Sequence, residues 1–185
     1  ADRPIEGELL DFPYPYFDAQ GFGPMKLTLG GGQTTSAGQL DALGEISLAL
    51  GRLAAYRQVE MQEPVTDPLD AESHMLVVGT PEQNPLVYQF VDPSTLKAGE
   101  GFVGSFPNPY HPELAVLVVT GGDDAGLSLA AQALSSQDRY ELLSGESARI
   151  TDLQDSMPPP SKRDPRPMPE DEEFTLADLG IMDRT

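Results

Sequence analysis

The stretch from Leu114 to Leu134, LAVLVVTGGDDAGLSLAAQAL, decides the fold class. Its first half is an apolar, Val-rich run without alternation that ends in Thr120-Gly121-Gly122, the pattern of a strand covered on both faces, as in a parallel sheet. Its second half opens with Asp123 and Asp124, whose charge suits the positive end of a helix macrodipole. Leu127, Ala130, Ala131 and Leu134 then line one helical face. A strand released through glycines into a helix commonly frames a phosphate site, because free backbone N–H groups converge there. Here two carboxylates occupy the place the phosphate would need, and no Lys or Arg adjoins them. The turn predicts an α/β fold and argues against anion binding.

The same phrase occurs twice more. Lys26–Leu29 runs into Gly30-Gly31-Gly32, and Met75–Val78 runs into Gly79-Thr80-Pro81. Strands interleaved with helical patterns predict βαβ units, a mainly parallel sheet and one layered domain. The clearest helix opens at Ser36, with Gln39 completing a capping box and Leu40, Leu43, Ile46, Leu50 and Leu53 forming its apolar stripe; Gly44 and Gly51 weaken it. Arg57–Met61 alternates like a half-buried strand. Phe102-Val103 with Phe106 indicates another before the Pro107-Asn108-Pro109 turn, and Ala148–Leu153 an edge strand.

A chain of 185 residues suffices for one such domain and a short extra segment. The net charge of −19 repels nucleic acid and anionic membrane surfaces alike. Without Cys there are no disulfides, thiolate nucleophiles or zinc clusters, which suits cytosol and periplasm equally. No apolar run approaches the roughly 18 residues of a membrane span, and Ala1 opens no leader, so a soluble, processed or excised piece is expected. His74 and His111 are the only imidazoles, no GxSxG elbow occurs, and the acidic runs read as solvated faces, so neither a catalytic set nor a metal site is expected. One binding alternative stands. Gly31, Thr34, Thr35 and Ser36, between the first strand and first helix, offer hydroxyls and N–H groups to the phosphate of a flavin or nucleotide. Against it, the loop lacks both GxGxxG and GxxxxGK[ST], no Trp flanks a flavin ring, and an N-cap Ser needs no ligand.

Composition changes after Asp155. Met157–Glu173 holds six prolines with mixed charges, a stiff acidic linker over 156–173 that cannot bury a core, and apolar character returns at Phe174-Thr175-Leu176-Ala177-Asp178-Leu179-Gly180. The N-terminal Phe12–Phe17 run, FPYPYF, reads first as a segment packed on the sheet edge and second as a stacking platform.

The order of LDFPYPYFD (Leu10–Asp18), LGRLAAY (Leu50–Tyr56), MLVVGTPEQNPLV (Met75–Val87), SFPNPYHPELAVLVVTGGDDAGLSLAAQAL (Ser105–Leu134) and FTLADLG (Phe174–Gly180) resembles the cellulose synthase regulatory B subunit. The resemblance implies a three-layer flavodoxin-like domain with a mainly parallel sheet over 1–155, and the start of a carbohydrate-binding β-sandwich over 174–185. It also implies a non-catalytic periplasmic module, associated with the inner membrane through parts beyond this chain. Its partners would be the membrane glycosyltransferase and, through neighbouring domains, the nascent glucan. Tyr14, Tyr16, Phe17 and Tyr110 are the candidate glucan contacts, no cofactor is implied, and no residues match the family's older description as cyclic di-GMP-binding. Gly30-Gly31-Gly32 departs from the family pattern, in which apolar residues continue the strand into a proline turn. Because the proline linker cannot contribute a core, truncation after Asp155 is expected to leave the melting temperature within a few degrees of the full chain's. A drop of many degrees in a thermal melt would place the boundary elsewhere.

Overall fold

The computed structural model describes residues 9, 12–16, 25–31, 36–54, 58–140 and 143–152. Six strands and two long helices follow in the order β1 (Met25–Gly30), α1 (Ala37–Ala54), β2 (Val59–Val65), β3 (His74–Val78), β4 (Gly101–Pro107), β5 (Ala115–Gly121), α2 (Asp124–Leu134), the single-turn α3 (Gln137–Tyr140) and β6 (Ser147–Ile150). They form one sheet in the order β2-β1-β3-β5-β4-β6. β2, β1, β3 and β5 pair in parallel, while β4 lies antiparallel to both β5 and β6. Only β4 runs against the others, so the sheet is mixed, and the expected edge strand near Ala148 is β6. The proline linker and the segment 174–185 lie outside the described residues, as does Arg57 at the expected start of β2.

Every residue of β5 is buried, as its unalternating apolar run requires. Successive side chains serve different cores. Leu76, Val78, Leu117 and Val119 face Ile46, Leu50, Leu127, Ala130 and Leu134 of the two helices. Met75, Val77, Val116 and Val118 face Leu86, Val87, Val91 and Phe102. Both long helices therefore share one face of the sheet. Among the described residues, the opposite face is covered by short 3-10 turns at Pro85–Gln89 and Pro93–Thr95 rather than by the helices that a three-layer arrangement would place there.

The α2 stripe is as expected: Leu127, Ala130, Ala131 and Leu134 are all buried. The α1 stripe is rotated. Ile46 and Leu50 are buried, but the other inward positions are Gln39, Ala42, Ala49 and Ala54, while Leu40 is exposed and Leu43 and Leu53 are only partly covered. α1 lies close against α2, where a Cβ on Gly38 would stand 2.6 Å from the Asp124 carboxyl carbon, and such an approach suits small side chains. The capping box is half made. Ser36 Oγ accepts from the Gln39 N–H at 3.0 Å, but the Gln39 side chain donates instead to Val78 O at 2.9 Å, pinning α1 to the end of β3.

Of the described N-terminal residues, Leu9, Phe12 and Tyr16 pack while Tyr14 projects. Leu9, Phe12 and Tyr16 join the helix-side core, with Phe12 edge-on to Tyr140 at 5.1 Å. Tyr16 packs edge-on to His74 at 5.9 Å. His74 Nδ1 accepts the Ala115 N–H at 3.0 Å, which requires the neutral ring, and burial lowers its pKa below the ordinary 6.5. The unfolded chain thus takes up a proton at a pH where the folded chain does not. This contribution to stability is expected to be full above pH 6.5 and to be lost as pH falls from there through the folded value. Thermal melts across this range should show the slope in the native chain and a flatter profile in His74→Gln.

Candidate functional site

The parallel strands end together at one edge of the sheet, the usual ligand side of an open α/β fold. At the β5–α2 turn, Asp123 is the N-cap of α2. Its Oδ1 accepts from the Gly126 N–H at 2.8 Å, and the Gly99 N–H lies 3.0 Å from both carboxylate oxygens. These bonds hold the Asp123 carboxyl below its ordinary pKa. Gly122 presses against the backbone of Lys97, where a side chain would collide with the Lys97 carbonyl. The glycines admit a neighbouring loop. The N–H groups that would cradle a phosphate are occupied by the chain's own carboxylate.

Asn84 ties the ends of β1 and β3 together. Its Nδ2 donates to Gly30 O at 2.9 Å and Val78 O at 3.1 Å, and its Oδ1 accepts from Leu86 N at 3.2 Å as the cap of the following 3-10 turn. Gly31, at φ 129°, passes so close that a Cβ would fall 2.6 Å from Asn84 Nδ2, so a glycine is required where β1 ends. Gln83 spans the next gap, accepting from Thr80 N at 3.1 Å and donating to Asp124 Oδ1 at 2.6 Å. Around these groups opens a shallow cleft of about 430 Å³, lined by Pro81, Glu82, Tyr88, Leu96 and Asp124. Its carboxylates disfavour an anion. Among the described residues no group of three His, Asp or Glu side chains is arranged to hold a metal ion, and no helix is long and apolar enough to cross a membrane.

A family model described as "Cellulose synthase BcsB, first FD domain" matches residues 8–150. The chain belongs to this family. A comparison with curated proteins finds no match. A solved structure titled "Structure of CpGH84D" is 12% identical, with a TM-score of 0.42 over 69% of this chain and 20% of that one. The chain thus spans about a fifth of that protein's length.

Of the expected glucan contacts, Tyr16 is 4% exposed, and its hydroxyl lies 2.7 Å from Ser105 Oγ, with burial raising its pKa. A ring so enclosed cannot stack on a sugar, and the reading of Tyr16 as a contact is corrected to packing. Tyr14 and Tyr110 are each 54% exposed, and Phe17 lies outside the described residues. Of the alternative phosphate loop, Ser36 caps α1 and Gly31 donates its N–H to Val65 O at 2.8 Å, while Thr34 and Thr35 lie outside the described residues. The distant elements are not brought together: His111 Nε2 bonds Leu69 O at 3.0 Å, tying two loops, and His74 sits at the opposite end of β3 from Asn84. Sequence reasoning passed over Asn84, Gln83 and Tyr88. The Asn84-Pro85 pair is a turn signal that marks the first of them.

Because Asn84 is buried and makes three hydrogen bonds, Asn84→Ala is expected to lower stability by about 2–3 kcal/mol. Denaturant unfolding measures this, and a loss below about 0.5 kcal/mol would show that the strand ends do not depend on it.

Proposed function

We infer that this domain is a non-catalytic, periplasmic module of a cellulose synthase regulatory B subunit. It supports the membrane glycosyltransferase and helps to dock or guide the emerging glucan. Membership of the family supports the assignment to cellulose synthesis. The observation that carries the non-catalytic scaffold reading is the Asp123 carboxylate seated on the Gly126 and Gly99 N–H groups, which fills the anion site at the start of α2 with the chain's own charge. Tyr14 and Tyr110 offer exposed rings for glucan, and Tyr88 in the acidic cleft adds a third. Carboxylates with spare lone pairs suit the hydroxyls of a neutral sugar, whereas they oppose phosphate.

The test is a calorimetric titration of the chain with FMN and with cyclic di-GMP, beside product assays with UDP-glucose and cello-oligosaccharides. Neither binding nor turnover is expected, and Ser36→Ala is expected to lower the melting temperature through loss of the α1 cap. Micromolar binding of either ligand that disappears in Ser36→Ala would replace this reading with a flavodoxin-like carrier. Product in excess of protein would make the domain an enzyme.

A further inference from the structure

Nearly every described glycine has a reason inside the domain. Some carry positive φ, as Gly31 and Gly79 do, and others would drive a Cβ into a neighbour, as at Gly38 and Gly101. Gly44 and Gly51 have neither reason. Both stand inside α1 at ordinary helical φ, with nothing among the described residues within 4 Å of an added Cβ. Each weakens the helix relative to alanine and contributes nothing to packing among the described residues. They also lie on one face. At about 100° per residue, Ala37, Leu40, Gly44, Leu48 and Gly51 fall within an arc of about 80°. All five are exposed, with Leu40 at 58% and Leu48 at 52%. The arc carries no charged or hydrogen-bonding side chain, although solvent-facing helix positions normally do. Asp41, Glu45 and Arg52 border it on one side only.

The face is complementary to itself. Leu40 and Leu48 project from it roughly 12 Å apart along the axis, and Gly44 and Gly51 leave gaps roughly 10.5 Å apart. If two α1 helices lie antiparallel about a twofold near residue 46, Leu48 of each falls over Gly44 of the other, and Leu40 falls beside Gly51. An antiparallel pair also brings the same flank of each helix together, which sets Arg52 near the second copy's Asp41 at both ends of the contact. Glu45 meets its own copy near the twofold and opposes the pairing.

We propose that this face of α1 is a self-association surface, on which a second copy of the chain packs its α1 antiparallel with Leu40 and Leu48 seated over Gly44 and Gly51. One helix pair buries well under the roughly 1,600 Å² of a standard interface, so contact through this domain alone is weak and exchanges rapidly. The net charge of −19 on each copy opposes it further, and salt relieves that repulsion.

Sedimentation of the full 185-residue chain from micromolar to millimolar concentration, at low and at physiological salt, tests the proposal. The weight-average mass is expected to rise above 19.9 kDa with concentration, and more so in salt. Gly44→Gln should raise the melting temperature, because it improves the helix with open space around it, yet weaken association by about tenfold or more by filling the gap. Leu48→Glu should abolish association with the circular dichroism spectrum unchanged, and Glu45→Gln should strengthen it. A mass that stays at 19.9 kDa at every concentration would overturn the proposal and leave the face to a different chain. Association unaffected by both Gly44→Gln and Leu48→Glu would overturn it equally.

Discussion

The Asp123 carboxylate organises the domain around the end of β5. By accepting the N–H groups of Gly126 and Gly99 together, it caps α2 and draws the loop before β4 onto the β5–α2 turn. The loop can come that close because Gly122 and Gly126 present bare backbone to Lys97 and Glu100. From there β4 enters antiparallel between β5 and β6, in place of a further parallel strand. Arg149 of β6 fastens the same loop from the far side, with Nη1 3.0 Å from the nearly buried Glu100 carboxylate. One side chain thus fastens the loop that leads into β4 and sets the chemistry of the sheet's ligand edge. The helix N-terminus is neutralised from within, and an anion would have to displace a covalently attached competitor.

The two faces of the sheet are built differently, and the difference bears on what each can do. The helix side is a continuous core that joins β1, β3 and β5 to α1 and α2, and takes in the N-terminal Phe12 and Tyr16. The other side is closed by 3-10 turns whose caps come from Asn84 and Asp92. Those turns end at the acidic cleft and place Tyr88 at its rim. A surface of capped turns carrying an exposed aromatic ring presents contact area to a neutral ligand.

Where reading by period succeeded and where it failed follows from how each helix meets its neighbours. α2 has Leu and Ala at regular spacing and no competing apolar face, so its buried stripe is legible directly. α1 has leucines all round. Leu40 and Leu48 face outward, while Gln39, Ala42 and Ala49 face inward beside Ile46 and Leu50, because the close approach of α1 to α2 suits small groups and because the Gln39 amide finds Val78 O. Hydrophobicity alone assigned the larger residues to the core. The aromatic N-terminus shows the same limit. Tyr14 and Tyr16 are one residue type in one motif, yet only Tyr16 meets a buried hydroxyl, that of Ser105, 89 positions away.

The sequence by itself determined the strand–turn–helix units, the burial of β5 and the acidic start of α2. Those are local facts, written in apolar period, glycine placement and charge within a dozen neighbouring residues. The tertiary structure alone decided the insertion of β4 against the parallel run, the gathering of both helices on one face, the joining of strand ends by Asn84 and the outward rotation of Leu40 and Leu48. Each of these depends on pairs of groups far apart in the chain, a carbonyl left open here and a small side chain there. No periodicity records such pairings, because they come into being only when the layers close.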